Sequence, residues 1–216
     1  MPEELFLNPN EPNPNFMVYK EEARKIILKA LGSKSSCFWL LGKTGIGKTT
    51  FLLWINQFAP LYKVKAIYFH GGEINFESFK EKIEKETKAS FFSRLFSRKK
   101  YSERPTIVMI DEVEYVKDEN IFKYLLSKLD EGLNLSIIFS SVEFIEGIRE
   151  YLKEREIEKI SLEMPPMDVM MEMVRKRIEA GGGEEFQPFG KQLVKDIIES
   201  SSTIREVLVK LQEALK

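Results

Sequence analysis

Eight consecutive residues, Gly42-Lys43-Thr44-Gly45-Ile46-Gly47-Lys48-Thr49, constrain this chain more than any other stretch. They read G-x-x-x-x-G-K-T without a mismatch, with Thr50 next. The apolar run Cys37–Leu41 before them is short and unbroken, as a strand buried on both faces requires. Thr49–Phe58 after them has helical periodicity and stops near Pro60. Strand, glycine turn and helix start in that order make an anion cradle. The glycines at 42, 45 and 47 permit backbone geometry that a Cβ would block. Loop N–H groups then turn inward, and the helix N-terminus adds partial positive charge. Lys48 brings a full charge to the outer phosphates, and the Thr49 hydroxyl is a ligand for Mg²⁺. Residues 42–50 are therefore predicted to hold Mg-ATP, although a loop that reads phosphates does not choose the base.

The elements around this loop alternate. Strands are predicted at Lys65–Phe69, Thr106–Ile110, Leu135–Phe139 and Lys159–Glu163, with helices at Val18–Leu31, Phe76–Glu86, Ile121–Leu129 and Phe144–Glu156. Such alternation predicts an α/β fold with a parallel sheet. After Pro165-Pro166 only helices follow, at Val169–Ala180, Phe189–Ser200 and Thr203–Leu215. The expected division is an α/β nucleotide-binding domain over 1–164 and a small helical domain over 165–216.

About sixty residues after the loop, the run Ile107–Ile110 ends in Asp111-Glu112. A buried parallel strand delivers the residues at its C-terminal end to the crevice where ligands bind. Asp111 is placed to hold Mg²⁺, directly or through water, and Glu112 to polarise the water that attacks the γ-phosphate. A lone Asp would bind metal, whereas the pair suggests hydrolysis. Glu114 is the runner-up acid. Ser140 and Ser141 close the next strand.

Together these motifs resemble the AAA+ ATPases. The resemblance implies a five-stranded sheet in the order 5-1-4-3-2, a C-terminal helical lid, and a contact for the attacking water or γ-phosphate at the strand-end serines, Ser141 preferred and Ser140 left open. Ser202-Thr203-Ile204-Arg205-Glu206-Val207-Leu208 looks like that family's lid motif, which makes Arg205 the arginine that reaches the γ-phosphate. Within the family, Glu21-Glu22-Ala23-Arg24-Lys25-Ile26-Ile27 and the run Ile160–Pro166 are similar to the archaeal origin-recognition, initiator and helicase-loader-like group. The expected activity is then a Mg-dependent ATPase, its rate left open, that serves as a nucleotide-dependent switch in replication initiation or helicase loading. Members of that group continue into a winged-helix domain, and the expectation that this chain lacks one favours an alternative: a signalling or chaperone-like switch acting on protein partners alone. A small-molecule kinase would not need Glu112 beside Asp111. Arg149 and Arg155 lie where ring-forming members carry an arginine finger, but they read as solvated helix charges, so homo-oligomerisation stays open.

Residues 88–104, KASFFSRLFSRKKYSER, set phenylalanines at helical spacing among arginines and lysines. This basic aromatic insert suits DNA, a replication protein, or simple packing on the sheet. Composition narrows the rest. The net charge of -1 gives no whole-chain attraction to nucleic acid or membrane. A single cysteine, Cys37, cannot form an internal disulfide. No run approaches the roughly 18 apolar residues of a membrane span, and the acidic, Pro/Asn-rich N-terminus is no signal peptide. A cytoplasmic protein is expected. Its glutamate and lysine bias hints at an archaeal or thermophilic source. One histidine, His70, and one cysteine make no zinc site. Phe16 and Tyr19 lie where the resemblance puts adenine, yet suit a core equally, and the methionines from 164 to 173 read as packing between lid helices.

Overall fold

A computed structural model describes residues 8–32, 35–88, 104–152 and 155–215. Five strands, β1 (Ser35–Leu41), β2 (Lys65–His70), β3 (Thr106–Asp111), β4 (Leu135–Ser141) and β5 (Ile157–Ser161), form one parallel sheet in the order β2-β3-β4-β1-β5. This is the expected order read from the other edge. Eight α-helices accompany them among the described residues: α1 (Lys20–Gly32), α2 (Lys48–Phe58), α3 (Phe76–Thr87), α4 (Asn120–Asp130), α5 (Glu146–Leu152), α6 (Met167–Ala180), α7 (Lys191–Glu199) and α8 (Ile204–Glu213). None is long and apolar enough to cross a membrane.

The described residues form two compact units. One comprises 21–41 and 55–161 and contains the whole sheet. Of its inner strands, β3 and β4 are buried at every position, as their largely apolar sequences require. Edge strands β2 and β5 are only partly covered. Trp39, Phe79, Ile110, Leu125, Ile137 and Phe139 anchor the core, each fully or almost fully buried, and side chains of this kind contribute about 1.5–3 kcal/mol apiece.

The other unit comprises 8–20, 42–54 and 162–215. Helices α6, α7 and α8 close around Met170, Val174, Val194, Ile198, Val207 and Leu211. Met164, Met167 and Met171 pack against this cluster with Phe16 and Val18. The Phe16 ring lies 4.6 Å from the buried guanidinium of Arg177, whose pKa burial lowers to about 10.

Of the boundaries that differ from those predicted, two have a clear physical cause. The fifth strand begins at Ile157, opposite Cys37, and ends at Ser161, two residues before the expected end. Leu162 and Met164 continue the apolar pattern but are spent elsewhere: the Leu162 carbonyl lies against Gly42, and Met164 joins the helical cluster. Helix α5 starts at Glu146, not Phe144, because the Phe144 ring is held 4.4 Å from Trp39 while Lys159 covers it at 3.5 Å. The insert read as a basic aromatic segment lies, from 89 to 103, outside the described residues.

Candidate functional site

The phosphate loop runs from Gly42 to the first turn of α2. Gly45 has φ +84° and Gly47 +104°, a region that L side chains rarely adopt. Ile46 closes a turn by donating its N–H to the Lys43 carbonyl at 3.2 Å, and the Phe51 N–H reaches back to Gly47 at 2.9 Å. Lys48 is 8 % exposed, and its ammonium donates to the carbonyls of Gly42 at 2.6 Å and Lys43 at 3.3 Å. It is thus folded over the loop it belongs to. Lys43 and Thr44 are exposed, and Thr49 and Thr50 half-buried. The first turn of α2 points N–H groups along the helix axis without intrahelical acceptors.

The same unit brings three further residues to the loop. A cap starts α8: the Thr203 hydroxyl accepts from the Glu206 N–H at 3.2 Å, and the Glu206 carboxylate accepts from the Ser202 N–H at 2.8 Å. The Ser202 N–H first, then the Lys210 ammonium and the Ser202 hydroxyl, pull the Glu206 carboxyl down to about 2. The fixed helix start sets Arg205 on the loop, where its N–H donates to the Gly45 carbonyl at 3.0 Å and its Nε to Pro9 at 3.3 Å. A Cβ on Gly45 would stand 2.8 Å from that of Arg205. Tyr19 lies beside Gly47, its hydroxyl within 2.8 Å of the Glu163 carbonyl and 3.1 Å of the Ile46 carbonyl. Neither the Tyr19 nor the Arg205 contact follows from periodicity, because each joins segments far apart in the chain.

In the sheet-bearing unit, Asp111 and Glu112 follow the buried end of β3. Asp111 is fully buried. Its Oδ1 accepts from the Ser140 hydroxyl and, at 3.1 Å, from the Glu112 N–H; its Oδ2 accepts from the Tyr68 hydroxyl at 3.0 Å. Glu112 adopts a left-handed backbone, φ 50° and ψ 53°, that costs about 1–2 kcal/mol for a residue with a Cβ. Its carboxylate meets His70 Nε2 at 3.2 Å. The Gly72 N–H donates to His70 Nδ1 at 3.2 Å, which puts the ring proton on Nε2, facing the carboxylate. Gly71 makes this approach of β2 to the acidic turn feasible. Its N–H donates to the Asp111 carbonyl at 2.7 Å, and a Cβ there would lie 2.3 Å from the Glu112 carbonyl oxygen.

Of the two serines ending β4, Ser140 is the one beside Asp111. Ser141, the sequence preference, is committed elsewhere: its hydroxyl accepts from the Trp39 indole N–H at 2.6 Å and donates to the Glu143 carbonyl at 2.5 Å. Glu114 is exposed on a short turn. Arg149 pairs with Glu146 at 3.4 Å and Arg155 with Asp130 at 2.6 Å, as surface charges do. Tyr68 escaped the sequence reading, and His70 entered it only as a lone histidine that makes no zinc site; strand β2 carries no local signal that would have flagged either for the acidic turn.

No group of three His, Cys, Asp or Glu suited to a metal ion occurs among the described residues. Mg²⁺ prefers oxygen donors and takes one or two carboxylates beside phosphates and waters. Thr49 and Asp111 supply oxygen donors of this kind.

A family model described as an AAA domain matches residues 34–172. No curated protein matches by sequence. Solved structures with similar folds include the Thermotoga maritima RuvB Holliday junction branch migration motor, 17% identical with TM-score 0.58 over 90% of this chain and 60% of that one. The Aeropyrum pernix ORC1 protein in complex with DNA is 18% identical with TM-score 0.65, over 98% and 63%. Domain III of the Thermotoga maritima replication initiation protein DnaA is 19% identical with TM-score 0.56, over 95% and 90%. This chain therefore spans less than two thirds of the RuvB and ORC1 chains. At such identities the likeness is one of fold.

Proposed function

The chain belongs to the AAA domain family of P-loop ATPases, and on that premise we propose that it is a nucleotide-dependent switch acting on DNA, in replication initiation or helicase loading. In this reading Lys48 and the N–H groups of residues 42–50 hold the phosphates of ATP. Thr49 and Asp111 are the ligands for Mg²⁺, which when bound neutralises charge on the β- and γ-phosphates. Glu112 orients the attacking water once it leaves His70, and Ser140 keeps Asp111 in place. Residues 1–164 act as the nucleotide-binding domain and 165–216 as its lid.

One observation carries the switch. The N–H of Arg205, at the start of α8, is bonded to the Gly45 carbonyl of the phosphate loop. A γ-phosphate that draws the Lys48 ammonium off the Gly42 carbonyl rearranges the loop on which α8 rests. Phosphate occupancy thereby becomes a movement of three helices, and a bound partner reads that movement as a change of affinity. The DNA half of the reading draws support from the relatives, whose names speak of DNA, replication initiation and branch migration. The basic aromatic insert 88–104 is the proposed contact, for DNA or for a replication protein.

The test is ATP binding and Mg-dependent hydrolysis by the wild type and by Glu112→Gln, with and without single-stranded and duplex DNA over a series of salt concentrations. Binding by both proteins, hydrolysis lost in the variant, and stimulation by DNA that fades with salt are expected. Equal hydrolysis by both would remove Glu112 from its role. Indifference to DNA would move the reading to a switch on protein partners.

A further inference from the structure

We infer that Tyr68 is a positioning residue for the acidic site: its hydroxyl fixes the Asp111 carboxylate and so sets how that carboxylate receives a divalent cation arriving with ATP. The inference rests on the nucleotide-switch reading above.

An ionised carboxylate has about four lone-pair directions. Oδ1 of Asp111 accepts from two donors, the Ser140 hydroxyl and the Glu112 N–H. Oδ2 accepts from one, the Tyr68 hydroxyl at 3.0 Å. Among the described residues this leaves a single direction, on Oδ2. A cation, or a water on it, meets Asp111 through the oxygen that Tyr68 shares, so the phenol decides where that direction points.

The fold supports the assignment. Register pairs His70 with Asp111 and Tyr68 with Met109, so Tyr68, His70, Met109 and Asp111 share one face of the sheet. Tyr68 reaches Asp111 diagonally from the edge strand, while Ser140 reaches it from the opposite neighbour. The carboxylate is held from both sides, and only the Tyr68 side lies on the oxygen with capacity to spare. An ionised carboxylate only accepts, so the Tyr68 phenol is the donor in this bond. Partners of this sort around a metal-ligating group govern affinity by orientation, and their removal weakens binding about tenfold or more.

The experiment uses Mn²⁺ as a paramagnetic probe of the full chain with ATP, reading free Mn²⁺ by electron paramagnetic resonance. Wild type, Tyr68→Phe, Asp111→Asn and the double variant are compared. ATP affinity in chelator and the urea unfolding midpoint are measured in parallel, since Phe keeps the ring and loses only the hydroxyl. Tyr68→Phe is expected to weaken Mn²⁺ uptake into the ATP complex about tenfold, to leave metal-free ATP affinity unchanged, and to add nothing in the Asp111→Asn background. Uptake equal to or tighter than that of the wild type overturns the inference, as does a full tenfold loss on top of Asp111→Asn. Failure of the wild type itself to take up Mn²⁺ with ATP sinks the nucleotide reading, and the role of Tyr68 with it.

Discussion

Replacing Gly71 by alanine strikes the acidic turn without touching any group proposed to meet nucleotide. The added Cβ would stand 2.3 Å from the Glu112 carbonyl oxygen and 3.0 Å from that of Asp111. Carbon and carbonyl oxygen approach comfortably only to about 3.3 Å, so β2 and the turn must part by roughly 1 Å. Both atoms met are backbone, and the turn is pinned by the buried Asp111 carboxylate, so no flexible end can swing aside. The separation stretches the 2.7 Å bond from the Gly71 N–H to the Asp111 carbonyl beyond hydrogen-bond range. Losing that bond costs about 1 kcal/mol, and forcing the atom into a packed place costs about 1–3 kcal/mol more. The total of roughly 2–4 kcal/mol corresponds to a Tm lowered by about 5–15 °C in a chain of this length. Urea unfolding and a thermal scan measure it. ATP hydrolysis is expected to drop along with stability, because Glu112 moves with the turn, while ATP affinity is kept. Gly72→Ala is the control, since its Cβ would meet only the His70 ring at 3.4 Å, an ordinary contact. If Gly71→Ala matched Gly72→Ala in stability and turnover, the account of how β2 shapes the acidic turn would be wrong.

Removing the Lys48 ammonium by Lys48→Ala is expected to weaken ATP binding at least tenfold by calorimetry, the worth of one charge-assisted bond, without unfolding the chain. The two serines of β4 should separate cleanly. Ser140→Ala frees Asp111 and lowers hydrolysis, whereas Ser141→Ala strands the buried Trp39 N–H and costs about 1–3 kcal/mol in urea unfolding with turnover per folded molecule unchanged. Cys37 is buried, and burial raises its thiol to about 11 from an ordinary 9.0. A raised value means that the unfolded chain loses its proton first, so stability is intact below pH 9 and declines as pH climbs toward 11. Between pH 8 and 10.5 the wild type should lose about 2 kcal/mol more than Cys37→Ala in urea unfolding, and parallel losses would contradict the burial argument.

Strand β4 shows where the sequence was legible and where it was not. Its apolar run and closing serines are local signals, and so are the glycine loop, the acidic pair and the cap that starts α8. Which serine turns toward Asp111 is not a local property. A strand exposed on one face betrays its phase by alternating polar and apolar residues, but β4 is buried on both faces and carries no such mark. Only the pairing of Phe139 with Trp39 and with Ile110 fixes the phase, setting Ser141 toward the indole and Ser140 toward the carboxylate. The fifth strand slipped for a related reason. Ile160, Leu162 and Met164 share one period-two pattern, and only pairing with β1 ends the strand at Ser161.

The acidic site repeats this lesson at higher stakes. Asp111 and Glu112 can be read directly from the chain, but what holds each of them cannot. Tyr68 and His70 lie about forty residues earlier on an edge strand, and reach the pair because parallel register sets His70 opposite Asp111. A slip of one residue in that register would turn both rings to the other face and leave the Asp111 Oδ2 and the Glu112 carboxylate without these donors. The close approach at Gly71, where the Asp111 carbonyl accepts the next N–H of β2, guards against that slip. The glycine that follows β2 is therefore a condition for the site, since it locks the register that brings the tyrosine and the histidine to their carboxylates.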